Sequence, residues 1–203
     1  MVRAAYSSGT PAYGVGVGNA IIVVDETADL KDAAQKILMS KTFDLASGCS
    51  SENSIIVKDT VYDEFIGLLK AEGSYMTTAE EKARLEKVMW PDGHTLNREV
   101  VIQPADKIAK LAGIKLAENT KMIMVEEIGA GKDYLFSGEK LCVVLTVYKY
   151  SEFEEAIRII NDAQAYQGAG HSCGIHSFND DHICHQGLHI GHFLFFWMIH
   201  LHR

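Results

Sequence analysis

Short β-type runs alternate with helical patterns along this chain, and that alternation most constrains its fold. Ala20 to Val24 reads as a buried strand, and the stretch from Asp29 to Lys41 carries Leu30, Ala33, Ala34, Ile37 and Leu38 at helical spacing. Ser54 to Val57 is a second strand, followed by a helix from about Thr60 to Leu69 that stops near Gly73. Thr78 with Glu81, and Ser151 with Glu154, match the capping box that opens a helix. Pro104 fits the first turn of a short helix ending at Gly113, while Met122 to Val125 and Leu141 to Tyr148 are further β-type runs. Parallel strands need a crossover between them, so this alternation predicts an α/β fold with a mostly parallel sheet covered on both faces.

The 203 residues, 47% hydrophobic, are enough for one sizeable core and one globular domain. A formal charge of -8 argues against a nucleic-acid partner, which would call for a basic face. The longest dense apolar run, Phe193 to Ile199, falls far short of the about 20 residues that cross a bilayer, so no membrane association is expected. Four cysteines (Cys49, Cys142, Cys173, Cys184) show no paired spacing, and no charged-then-apolar leader precedes Tyr6, which favours a reducing, cytoplasmic setting.

Gly14, Gly16 and Gly18 form a Gly-Val-Gly-Val-Gly run that looks like a nucleotide signal. A dinucleotide fingerprint follows a strand and opens a helix, whereas these glycines precede one, so a close-packed entry loop is the better reading. Gly14 and Gly16 are kept as cofactor-binding candidates. Cys49 lies between a helix and a strand in Ala46-Ser47-Gly48-Cys49-Ser50-Ser51-Glu52-Asn53. Small neighbours leave room for a substrate, and backbone amides beside a thiol can stabilise a thiolate or an oxyanion, yet a lone cysteine in such a loop is more often inert.

An ordered set of segments changes that balance. Met1-Val2-Arg3-Ala4-Ala5-Tyr6-Ser7-Ser8-Gly9, Val24-Asp25-Glu26-Thr27-Ala28-Asp29-Leu30, Ser40-Lys41-Thr42-Phe43-Asp44, Ser51-Glu52-Asn53-Ser54, Ser137-Gly138-Glu139-Lys140-Leu141 and Gly168-Ala169-Gly170-His171-Ser172-Cys173 occur in one order. In that order they resemble the aldehyde dehydrogenase superfamily, in its CoA-acylating branch with sulfoacetaldehyde, acetaldehyde and succinate-semialdehyde enzymes. The resemblance implies that residues 1–181 form the family's αβα catalytic domain without most of the Rossmann half. It also implies NAD or NADP as cofactor, coenzyme A as co-substrate, an aldehyde as substrate, and homo-oligomeric full-length relatives.

By the same resemblance Cys49 attacks the aldehyde and ends as a thioester that coenzyme A relieves of its acyl group. Glu139 matches a carboxylate that binds the nicotinamide ribose, and His171 matches a histidine placed to move a proton near the acyl sulfur. Each has a plainer alternative, a surface acid before a strand and a structural histidine. His176 reads as structural. Hydrolytic relatives carry a glutamate base before a Gly-Gly-Lys-Asn-Pro segment, and aligning its Asn on Asn19 puts Gly14 at the base position. That favours acyl transfer over hydrolysis. The family's oxyanion-hole asparagine would precede Met1, and with the cofactor half missing, NADH production by this chain alone is not expected.

Composition changes after Asp181, where residues 182–203 hold six of the nine histidines and no Asp, Glu or Lys. His182, His185, His189 and His192 recur at spacings that align on one helix face, a possible adventitious metal site. Family members continue instead with a charged helix, so a frameshifted tail is the simpler account, and no metal is assigned. The competing class is a non-enzymatic truncated product that binds metal through this tail.

Overall fold

The structure, a computed structural model, describes residues 5–11 and 17–183 together with the strand Phe195–Phe196. Its strands are β1 (Ala20–Val24), β2 (Glu52–Lys58), β3 (Ser74–Met76), β4 (Met122–Glu126), β5 (Val144–Tyr150), β6 (Ser172–His176) and the two-residue β7 (Phe195–Phe196). They form one sheet in the order β3-β4-β5-β2-β1-β6-β7, with every pairing parallel. The helices are α1 (Leu30–Thr42), α2 (Tyr62–Ala71), α3 (Ala79–Met89), α4 (Ala105–Leu111) and α5 (Phe153–Tyr166).

Alternation along the strands splits the core between the two faces. Val24, Ile55, Val57, Met124 and Val147 pack under α1 and α2. Ile21, Val23, Ile56, Tyr148 and Ile175 point the other way, onto Ala156, Ile160 and Ala163 of α5. Beside them α3 and α4 cover Ile123, Val125 and Val144 through Leu85, Met89 and Ile108. The αβα layering expected from the sequence is therefore the observed one.

Helix starts follow the chemistry of their first residues. Asp29 caps α1 by accepting from the Asp32 amide, and Thr78 with Glu81 forms the expected capping box at α3. Ser151 with Glu154 does not. The N-cap of α5 is Glu152 with no side-chain cap; Glu155 instead accepts from the Ser151 amide, and the Ser151 hydroxyl is drawn away to Asp59 at 2.8 Å. The β-type run from Leu141 likewise starts late, at Val144, because Leu141 has a left-handed φ of 46° that no strand residue adopts.

Asn19, directly before β1 and fully buried, ties three segments together. Its Nδ2 donates to the carbonyls of Ser137 at 2.8 Å, Gln167 at 3.0 Å and Ala163 at 3.4 Å. Gly168 packs on it so closely, at a φ of +99°, that a Cβ there would lie 2.4 Å from the Asn19 Cβ. Replacing Asn19 with Ala removes the side-chain donor from the buried Ser137 carbonyl and from that of Gln167, so Asn19→Ala should cost about 2–4 kcal/mol in urea denaturation. A loss of less than about 0.5 kcal/mol, the range of ordinary surface substitutions, would remove Asn19 from this role.

Candidate active site

The four residues that meet at the site all stand just before the amino ends of neighbouring strands. Across the adjacent strands β5-β2-β1-β6 they are Glu139, Cys49, Gly18 and His171 in turn. Parallel strands start side by side, so residues far apart in sequence come together along one edge.

Gly18 marks the meeting point. A Cβ built on it would lie 2.9 Å from His171 Nε2, 3.1 Å from Glu139 Oε1 and 3.2 Å from Cys49 Cβ. The space that glycine leaves open is thus walled by a thiol-bearing carbon, an imidazole nitrogen and a carboxylate oxygen. Cys49 is exposed, whereas Cys142 and Cys173 are buried, the latter with its thiol pushed up to about 12 by burial. The Cys49 loop is a tight turn in which the Ser51 amide donates to the Gly48 carbonyl at 3.0 Å. Asp44, Leu45 and Ala46 lead into it with left-handed φ values of 46°, 54° and 60°, a strained approach for residues that carry a Cβ.

His171 is oriented from behind. Its amide donates to the Gly168 carbonyl at 2.8 Å and its Nδ1 pairs with the Ser172 hydroxyl at 3.1 Å, which leaves Nε2 facing the opening at Gly18. Burial lowers its pKa, so the ring is neutral at pH 7 and able to accept a proton. Burial raises the pKa of Glu139, opposed by the Gly18 amide that donates to it and by the charges of Lys140 and Lys41. The Glu139 amide donates to Gln167 Oε1 at 2.9 Å, and a Cβ on Gly138 would meet that oxygen at 2.6 Å. A larger residue beside Glu139 would displace the Gln167 side chain that receives the Glu139 amide.

Two fully buried lysines underlie the site. Lys140 donates through Nζ to the carbonyls of Phe136 at 2.6 Å and Gly138 at 3.0 Å, and its amide donates to Asn53 Oδ1 at 3.0 Å. Burial, reinforced by Lys41, holds its pKa well below the ordinary lysine range. Lys41 has no hydrogen-bond partner for Nζ among the described residues, and burial brings its pKa down to about 8 against the pull of Cys142, Glu52 and Glu139. Sequence reasoning singled out Cys49, Glu139 and His171, which the structure brings together, and missed the parts played by Gly18, Asn19, Lys41 and Lys140. A lysine inside a buried helix turn, as at Lys41, was the available signal. Gly14 and Gly16 lie outside the described residues, as do His185, His189 and His192. Among the described residues no group of three or more His, Cys, Asp or Glu is placed to hold a metal ion, and no helix is long and apolar enough to cross a membrane.

Comparison with known proteins gives matches of one kind. The model of the Aldehyde dehydrogenase family matches residues 7–90. The chain is 48% identical over 188 residues, 92% of its length, to the sulfoacetaldehyde dehydrogenase (acylating) of Cupriavidus necator, of which it covers 38%. It is 41% identical over 187 residues, 92% of its length, to the succinate-semialdehyde dehydrogenase (acetylating) of Clostridium kluyveri, of which it covers 41%. Its fold matches the acetylating aldehyde dehydrogenase of Geobacillus thermoglucosidasius with a TM-score of 0.89 and 35% identity, covering 97% of this chain and 43% of that one. Along nearly its whole length the chain is thus similar, in sequence and in fold, to members of the aldehyde dehydrogenase family. Within it, the relatives it resembles are acylating ones, and it spans about two fifths of their length.

The buried Lys41 gives a stability signature. Its folded pKa of about 8 lies below the 10.5 of an unperturbed lysine, so between those values the unfolded chain binds the extra proton and stability rises with pH. Lys41→Met should raise stability at pH 7 by about 1–3 kcal/mol and flatten the rise between pH 8 and 10, read from urea midpoints across pH. An unchanged slope in the variant would mean that Lys41 titrates normally.

Proposed function

We propose that this chain carries the thiol half of a CoA-acylating aldehyde dehydrogenase, in which an aldehyde is oxidised on Cys49 and its acyl group passes to coenzyme A. The observation that carries this reading is the opening at Gly18, where Cys49, His171 and Glu139 face one space. A substrate carbonyl above the exposed thiol would be attacked by sulfur, and removal of hydride from the resulting carbon leaves a thioester on Cys49.

The same opening suits a nicotinamide ribose. A half-buried carboxylate stands beside the nucleophile, and Glu139 would accept from the ribose hydroxyls there. The bound cofactor supplies the hydride acceptor. His171, neutral and held by Ser172, takes the proton from the coenzyme A thiol as that sulfur attacks the thioester. Residue 14 is glycine, so the position aligned with the hydrolytic base has no carboxylate, which supports transfer of the acyl group over its release as acid. The names of the acylating and acetylating relatives support the same outcome.

The transfer half needs no nicotinamide and can be run backwards on this chain. An acyl-CoA should acylate Cys49, with the acyl carbon leaving the CoA sulfur for the Cys49 sulfur and the thiol proton ending on CoA. Intact-mass spectrometry with acetyl-CoA should show one acetyl group, mapped to Cys49 by digestion, with free CoA released in equal amount. His171→Gln should slow it by about a hundredfold. Because burial lowers the pKa of His171, the wild-type rate should hold steady from pH 8 to below the ordinary histidine value near 6.5, then fall. Acetylation spread over Cys49 and lysines, or a rate indifferent to His171, would contradict the proposal.

A further inference from the structure

His171 stands between two spaces. Its Nε2 faces the opening at Gly18, where the reacting atoms would lie. On its other edge Nδ1 pairs with the Ser172 hydroxyl at 3.1 Å, and Ser172 lines a cavity of about 480 Å³ between α1 and the strands β1, β2 and β6.

Strand register accounts for this cavity. Ala20 pairs with Glu52 of β2 and Ile21 pairs with Cys173 of β6, so Ser172, Ala20 and Glu52 lie in one row across three strands. Neighbouring strands are about 4.8 Å apart, which separates the outer two residues by roughly 10 Å. Ala20, between them, has only a methyl group, and Ile37 and Ser40 of α1 line the room above it. A hydroxyl and a carboxyl thus border one cavity from the two ends of the row, with space for a bridging water.

The carboxyl is suited to carry a proton. Glu52 Oε2 is buried and has no hydrogen-bond partner among the described residues, which leaves it free to accept from such a water. Burial raises the pKa of Glu52, opposed by its own amide, the Ser40 hydroxyl and the Lys41 charge, so it takes up a proton more readily than an exposed carboxylate. Lys36 and His176 border the same cavity, and Met39, which is exposed, stands at its rim.

The acyl chemistry at Cys49 calls for an outlet of this kind. A proton leaves the reacting atoms when the thiol attacks an activated ester or when the hydroxyl of a hemithioacetal becomes a carbonyl as hydride goes to the nicotinamide, and in both cases the substrate fills the Gly18 side of the ring. Once Nε2 has taken that proton, both ring nitrogens carry hydrogen, so Nδ1 can donate to the Ser172 oxygen whichever tautomer came before. We infer that Ser172, the cavity over Ala20 and Glu52 form the proton outlet of the thiol site, an inference that rests on the reading of Cys49 and His171 as nucleophile and base. The Nδ1 proton passes to the Ser172 oxygen as the hydroxyl hydrogen passes to a water in the cavity, that water protonates Glu52, and the carboxyl returns the proton to solvent. The ring is left as the other neutral tautomer and resets by exchange with solvent when product leaves.

Acetylation of Cys49 by p-nitrophenyl acetate under mildly alkaline conditions tests the outlet on this chain, because nitrophenolate departs as the anion and the thiol proton must leave the site. In stopped flow, Ser172→Ala and Glu52→Gln should each slow the nitrophenolate burst by about fivefold, the worth of one hydrogen bond, and Ser172→Thr should restore most of the rate. The double variant should be no slower than either single one, since both interrupt one path. Rates in mixtures of light and heavy water should bow downward for the wild type, with more than one proton in flight, and become linear in Ser172→Ala and Glu52→Gln. Additive losses, an unchanged rate in Glu52→Gln, or a linear dependence in the wild type overturns the outlet. A burst that does not map to Cys49, or that His171→Gln leaves unchanged, sinks the reading of the thiol site and the outlet with it. If Glu52→Gln fails to fold by circular dichroism, the two Ser172 variants and the wild-type dependence on heavy water decide.

Discussion

The side-chain amide of Asn19 is the interaction on which the site depends. One nitrogen holds the carbonyl of Ser137, two residues before Glu139, and the carbonyls of Ala163 and Gln167, at the end of α5 and before His171. Since Asn19 follows Gly18 and opens β1, the same amide fixes where Gly18 stands relative to both flanking loops. Buried and engaged on three sides, it converts a parallel sheet edge into a site with one geometry. Gly168, which has no room for a Cβ against it, completes the clamp.

A nucleophile at the amino ends of parallel strands gains little from the helix starts that serve carboxyl-end sites in other α/β folds. Here the local field comes from buried lysines. Lys140 binds the carbonyls that shape the Glu139 loop, and Lys41, with no hydrogen-bond partner for Nζ among the described residues, sits beside Glu52, Cys142 and Glu139. Keeping such groups inside the domain costs stability, and both are accordingly driven toward the neutral form.

Much of the fold was legible because periodicity reports burial directly. Ala20–Val24 and the α1 stripe are single-face patterns that tertiary contacts preserve, and the Thr78 capping box depends on neighbours three residues apart. Ser151 shows where that reasoning ends: its hydroxyl found Asp59, distant in sequence, and the local box gave way. Leu141 reads as strand by propensity but is turned aside by its φ, in a loop whose preceding residues Ser137 and Lys140 are pinned to Asn19 and Asn53. Cys49, Glu139 and His171 were found through ordered resemblance, since alone each has a plainer reading. Gly18 and Lys41 were not, because a missing Cβ and an unpaired buried ammonium acquire meaning only once four strand ends are laid side by side.

The account rests on the fate of a thioester at Cys49, and the partition of that thioester tests it most directly. Cys49 can be acetylated with p-nitrophenyl acetate, freed of excess reagent, and followed by mass spectrometry in buffer alone and with coenzyme A. With no carboxylate base at position 14 and His171 set to take a thiol proton, deacylation should be slow in water and should accelerate with coenzyme A, yielding acetyl-CoA in equal amount. Deacylation to acetate at a rate that coenzyme A does not change would contradict it.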